Sequence, residues 1–156
     1  MVLEAMAYIP KDARWYLADI VVELTIEDQV DNVVQINTYL VEASSPEQAY
    51  TKAQTLGEQE NSVYENTDGK QVNVSFRGLK NLDVIHDPLE DGSEIMYTER
   101  CGVSKRDLEA MLCPKDQLGV FAPIEPKSVP NYLSREIAEE VDALIPARDP
   151  PAGRDQ

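Results

Sequence analysis

Twelve consecutive residues, Trp15 to Ile26, alternate with period two. Tyr16, Ala18, Ile20, Val22, Leu24 and Ile26 fall on one side of an extended chain, and all six are apolar. Successive side chains point to opposite faces of a strand, whereas on a helix they sweep around the axis. The pattern therefore predicts a strand whose even-numbered face is the main core face. The odd-numbered face carries Trp15, Leu17, Asp19, Val21, Glu23 and Thr25, and half of it is apolar too. Something should cover that second face at its Trp15 end, either the C-terminal part of the chain or a second subunit.

The residues that follow supply partners for this strand. Val33 to Ala43 reads as a second strand, with Val33, Tyr39 and Val41 of one parity and Val34, Ile36 and Leu40 of the other. A helix start comes next: Ser45 suits the cap, Pro46 the first helical position, and Gln48 the capping-box position. Ala49, Tyr50, Ala53 and Leu56 make its buried stripe, and Gly57 ends it in the left-handed conformation glycine adopts freely. Asn61–Glu65 and Gln71–Arg77 flank Asp68-Gly69, a dipeptide suited to a tight primed turn with positive φ at both positions. Gly78 predicts a bulge or bend. Leu82–Ile85 and Ile95–Thr98 read as short strands around a polar turn from Asp87 to Ser93. The expectation is an α+β fold, an antiparallel sheet of about five strands with the Ser45–Leu56 helix packed on the main core face, plus a C-terminal helical extension.

The chain divides accordingly. Residues 1–14 are weakly patterned and form an N-terminal arm, and 15–99 form the α+β module. Residues 100–145 make a helical and proline-rich extension. It opens with a short helix capped by Ser104, with Leu108, Met111 and Leu112 on one side. A stretch with Pro114, Pro123, Pro126 and Pro130 should be extended. A helix from about Ser134 to Ile145 then carries Ile137, Val141 and Leu144 at i, i+4 and i+7. Residues 146–156, polar and rich in proline, are expected to be a disordered tail.

The module resembles a bacterial family catalogued as domain of unknown function 4288. Trp15-Tyr16-Leu17-Ala18 opens the first strand, and Leu40-Val41-Glu42-Ala43 runs into Ser45-Pro46-Glu47-Gln48-Ala49 and on to Leu56-Gly57. Tyr64-Glu65-Asn66, Asp68-Gly69, Phe76-Arg77-Gly78 and Asp91-Gly92-Ser93-Glu94-Ile95 follow in order. The resemblance covers about residues 15–99 and brings no reaction with it. Residues 100–156 lie outside it.

Charge narrows the partners. Of 29 acidic and 14 basic residues, the module holds 17 and 4, and the whole chain has a formal charge of −15. Such a chain is expected to be soluble and to repel nucleic acid and anionic membranes, leaving basic proteins and cations as partners. A mimic of nucleic-acid charge is a restricted version of the same reading. No window approaches the length of apolar chain a membrane helix needs, and Glu4 interrupts any secretory pattern at the start. Cys101 and Cys113 fit neither a metal spacing nor a disulfide framework, so a cytoplasmic location is expected.

Chemistry is sparse. His86 is the single histidine, which excludes a two-histidine metal site within one chain. His86-Asp87 has the makings of an oriented base, but Pro88 and the polar turn favour an ordinary surface loop. No nucleophile elbow, phosphate loop or dinucleotide fingerprint occurs. Asp87, Glu90, Asp91 and Glu94 offer oxygen ligands for calcium or magnesium, or an interaction site, without matching an EF-hand. Asp19 and Glu23 stand too far apart along one strand for a carboxylate dyad. Cys101 precedes the Ser104 helix, whose dipole favours a thiolate, while Cys113 reads as a small packed residue. No catalytic residue and no cofactor is assigned. The expected function is that of a small acidic binding or regulatory protein without catalytic activity. It acts through contacts with a protein partner or a second copy, with Trp15, Leu17, Val21, Ile137, Val141 and Leu144 as interface candidates. The alternative is a carboxylate-based, divalent-metal-dependent enzyme or metal-binding protein.

Overall fold

A computed structural model of the chain describes residues 8–123 and 130–144. The first seven residues of the arm, Pro126, Ile145 and the expected disordered tail lie outside the described residues. The α+β architecture is as expected, with four strands where the pattern suggests about five. Strands β1 (Trp15–Ile26), β2 (Val33–Glu42), β3 (Ser62–Glu65) and β4 (Gln71–Val84) form one antiparallel sheet in the order β2-β1-β4-β3. Helix α1 (Pro46–Gln59) connects the two edge strands across one face. Helix α2 (Lys105–Ala110), a single 3-10 turn at Lys115–Gln117 and helix α3 (Arg135–Leu144) follow.

β1 behaves as its alternation predicts. Tyr16, Ala18, Ile20, Val22, Leu24 and Ile26 are all buried, joined by Val41, Ala43 and Val72 from elsewhere along the sheet and Ala49 and Ala53 from α1. The strand count falls short for two reasons. Gln71–Arg77 and Leu82–Ile85 belong to one continuous run of chain, because two bulges carry β4 through the region where the pattern suggests a break. Val22 faces Phe76 while Val21 faces Gly78, which leaves Arg77 as an extra residue. Ile20 faces Leu79 while Asp19 faces Asn81, which leaves Lys80 as a second. Each extra residue reverses the parity of β4. Phe76, Leu79 and Leu82, spaced by three, therefore all reach the core side. The second reason is that Ile95–Thr98 pairs with no strand, and Ile95, Met96 and Tyr97 are exposed.

Three local details also differ from expectation. Gly57 does not end α1, which continues to Gln59. Its role is a close approach: a Cβ there would lie 2.3 Å from the ring of Phe76. The buried stripe of α1 is Ala49, Ala53 and Gly57, with Leu56 beside it, while Tyr50 is 53% exposed. Residues four apart share a helix face, and Tyr50, one position on from Ala49, is rotated away from it. At the Asp68-Gly69 turn only Gly69 has positive φ. Its N–H donates to the Asn66 carbonyl, and the Asn66 N–H donates to the Lys70 carbonyl. The hairpin is thus closed by a left-handed glycine following the turn, not by a primed pair.

The cap on α1 forms as expected, with the Gln48 N–H donating to Ser45 Oγ at 3.1 Å. Gln48 completes the exchange one residue earlier than in a standard box, since its Oε1 accepts from the Ser44 N–H at 2.7 Å.

Candidate functional site

Helix α1 and the core occupy one face of the sheet, and the other face is open. Antiparallel pairing sets Leu17 opposite Leu40, Val21 opposite Ile36, and Glu23 opposite Val34. Side chains directly opposite on one face touch, so Leu17 with Leu40 and Val21 with Ile36 form two apolar pairs in a stripe along β1 and β2, with Trp15 at one end and Val34 at the other. Val34, Ile36 and Leu40 are each about half exposed, at 56%, 50% and 49%. Polar groups interrupt and frame the stripe. Thr38 donates to Asp19 at 2.6 Å, Arg14 pairs with Glu42, and Arg77 lies 3.8 Å from Glu23. The interface candidates Trp15, Leu17 and Val21 are thus brought together. Their β2 partners Val34, Ile36 and Leu40 are not among the residues that sequence reasoning assigns to the site, although their shared parity is visible there.

The C-terminal extension does not cover this stripe among the described residues. It is tied to the opposite edge of the sheet and to the core side. Tyr132 packs against the buried cluster around Ile20 and Val72, and the Tyr64 hydroxyl donates to its carbonyl. Asn66, the one buried polar side chain among the described residues, organises the junction. Its Oδ1 accepts from the N–H groups of Asp68 and Lys70 at 3.0 and 2.8 Å, and its Nδ2 donates to the Asn131 carbonyl at 2.8 Å. The Asn131 amide returns bonds to Thr67 Oγ1 and Asp68 Oδ2 at 2.7 and 2.9 Å. Arg135 closes the strap with a 2.6 Å ion pair to Glu65. Beyond it, α3 makes little contact with the sheet. Ile137, Val141 and Leu144 are exposed at 55%, 47% and 82%, and they are not assembled with the Trp15 stripe.

A cleft of about 630 Å3 opens where the end of β4 meets the segment after it. Tyr8, Tyr16, His86, Asp87, Glu94 and Tyr97 are among its lining residues. The acidic turn is therefore divided: Asp87 and Glu94 border the cleft, while Glu90 and Asp91 do not. Among the described residues, no three His, Cys, Asp or Glu side chains converge as metal ligands. His86 is exposed, with its ring stacked on Tyr8 at a centroid distance of 6.2 Å. Both cysteines are exposed and free, so Cys113 is not the packed residue expected; α2 buries none of its residues.

Two tyrosines titrate away from their usual range. The Tyr39 hydroxyl donates to the Glu60 carboxylate, and that bond, then burial, then the adjacent charge raise its pKa. Burial raises that of Tyr64, with a smaller contribution from Tyr132. Neither borders the open face or the cleft. No helix among the described residues is long and apolar enough to cross a membrane.

These features define a two-layer α+β module, a four-stranded antiparallel sheet with one helix on one face and the other face uncovered. The chain belongs to the family described as domain of unknown function DUF4288, whose profile matches residues 15–97. No curated protein and no solved structure matches the chain. Sequence pieces that carry the family resemblance separately meet in the fold. Leu56-Gly57 lies against Phe76-Arg77-Gly78 through the Gly57–Phe76 approach, and Tyr64-Glu65-Asn66 with Asp68-Gly69 forms the hairpin that holds the strap.

Proposed function

We propose that this protein is a cytoplasmic binding or regulatory protein without catalytic activity, and that it works through protein–protein contacts on the open face of its sheet. The observation that carries this reading is the set of half-exposed Val34, Ile36 and Leu40 on β2 beside the partly buried Leu17 and Val21 of β1. Clustered apolar surface rimmed by polar groups marks an interaction site more often than a solvated one. Two apolar pairs, Leu17 with Leu40 and Val21 with Ile36, flank the hydrogen-bonded Asp19–Thr38 pair, and such a mixture of apolar and polar groups is usual in non-obligate interfaces. The formal charge of −15 disfavours nucleic acid and anionic membranes as the partner.

The test is an Ile36→Glu/Leu40→Glu double variant. Both positions are half exposed, so the fold should survive, as circular dichroism would show. Wild type and variant are compared as baits in nuclease-treated host lysate, and their solution masses are measured in parallel. Loss in the variant of a specific partner, or of a wild-type dimer mass, is the expected result. Identical captured proteins and identical masses for the two would overturn the reading.

A further inference from the structure

The cleft beside His86 is separate from the open sheet face, since Tyr16, Leu82 and Val84 in its wall belong to the core side. Its volume of about 630 Å3 lies within the range of small-ligand sites, roughly 300–1,000 Å3. Its lining is chemically one-sided. Three tyrosine rings and the His86 ring line it together with Asp87, Glu94 and Asp83, whose carboxylate accepts from Asn81 Nδ2 at 2.6 Å, and among the described residues no lysine or arginine does. Tyr8 and Tyr97 are 78% and 72% exposed, so their rings are accessible to a ligand.

Three ligand classes can be weighed on this lining. An anion would meet three carboxylates with no cationic side chain among the described residues to offset them. The start of α1, which Pro46 contributes to the wall, offers little to an anion because Ser45 and Gln48 already satisfy N–H groups there. A divalent metal ion lacks a converging set of three ligand side chains among the described residues. An organic cation meets both of its requirements, aromatic faces to lie against and carboxylates to offset its charge.

We propose that this cleft binds an organic cation, a guanidinium or protonated amine, held between the tyrosine rings and the carboxylates of Asp87 and Glu94. Such a group is presented either by a free small molecule or by an arginine or lysine side chain of a protein. The site is independent of the sheet-face reading, and either stands if the other fails.

Titration of the full chain with butylguanidinium, followed by NMR of the His86 and tyrosine ring resonances, tests it. Butylurea, of matched shape without charge, is the control. Saturable shifts with the cation and none with butylurea are expected, and the affinity should fall several-fold between about 20 and 300 mM salt as charges are screened. In an Asp87→Asn/Glu94→Gln variant, whose changes are both at exposed positions, the dissociation constant should rise about fivefold or more. A blocked arginine peptide against its citrulline counterpart separates the sources. Tighter binding of the peptide than of butylguanidinium assigns the cation to a protein side chain, and binding of butylguanidinium alone assigns it to a free molecule. The proposal is overturned if neither cation gives saturable shifts by about 10 mM, a weak-binding limit. Equal shifts from butylurea, or an unchanged dissociation constant in the variant, would overturn it as well.

Discussion

Gly57 shows how one missing methyl group sets the distance between two layers. On the helix it follows Ala49 and Ala53 at intervals of four, so α1 presents a smooth face and lies close to β4. Phe76 fills the space directly over the glycine, within 2.3–2.5 Å of where a Cβ would be. Alanine at position 57 would gain about 1 kcal/mol of helix propensity. It would also force the ring or the helix to shift, at about 1–3 kcal/mol for overpacking. We expect Gly57→Ala to destabilise by a net of roughly 0–2 kcal/mol in urea unfolding. A second change, Phe76→Leu, should remove most of that penalty in a double-mutant cycle, and additive costs would show that the contact does not limit packing. From the sequence the glycine is legible only as a terminator of α1. Its actual role is hidden there, because the partner ring comes from a strand nineteen positions away.

At the scale of elements, the strap from Asn131 to Arg135 is the clearest case of one segment completing another. It has no ladder beyond a single bridge, Asn66 to Ser134, with the Thr67 N–H donating to the Leu133 carbonyl at 3.1 Å, and the rest of its bonds come from side chains. The Tyr64 hydroxyl contributes by donating to the Tyr132 carbonyl from a partly buried position. Burial keeps that hydroxyl protonated above its ordinary pKa of 10.0. The folded-state pKa is raised, so the stabilisation is fully present below about pH 10 and is lost as pH rises through the folded value. Tyr64→Phe should cost about 1 kcal/mol at neutral pH through the lost hydrogen bond. Its melting temperature should then fall less steeply than that of wild type above pH 10, and parallel curves would show that Tyr64 does not couple the strap to pH. β4 teaches the complementary lesson. Gly78, at φ 138°, is readable as a bulge or bend, since that backbone conformation favours glycine. The second bulge at Lys80 has no such residue to announce it. Only the register against Asp19 and Ile20 reveals it, which is why one long strand reads as two.

Across the whole molecule, net charge outweighs individual ion pairs. The five ion pairs among the described residues are at the surface, where each is worth about 0–1 kcal/mol. A formal charge of −15 opposes compaction through self-repulsion. Added salt should therefore raise the melting temperature by a few degrees between about 20 and 200 mM, because screening relieves more repulsion than it weakens attraction. A fall in melting temperature would mean that local pairs dominate. By itself the sequence determined what depends on neighbours within a few residues: the alternation of β1, the Ser45 and Ser104 caps, the left-handed Gly69, and the α+β class that follows from them. Short-range sterics and hydrogen bonding settle those features before any tertiary contact forms. The tertiary structure alone decided which residues from distant segments meet. It placed Val34, Ile36 and Leu40 beside Leu17 and Val21, tied the described part of the extension to the core side, and divided the acidic turn so that only Asp87 and Glu94 of it reach the cleft. Register, bulges and layer packing act over tens of residues, and no local pattern in the chain encodes where their ends come to rest.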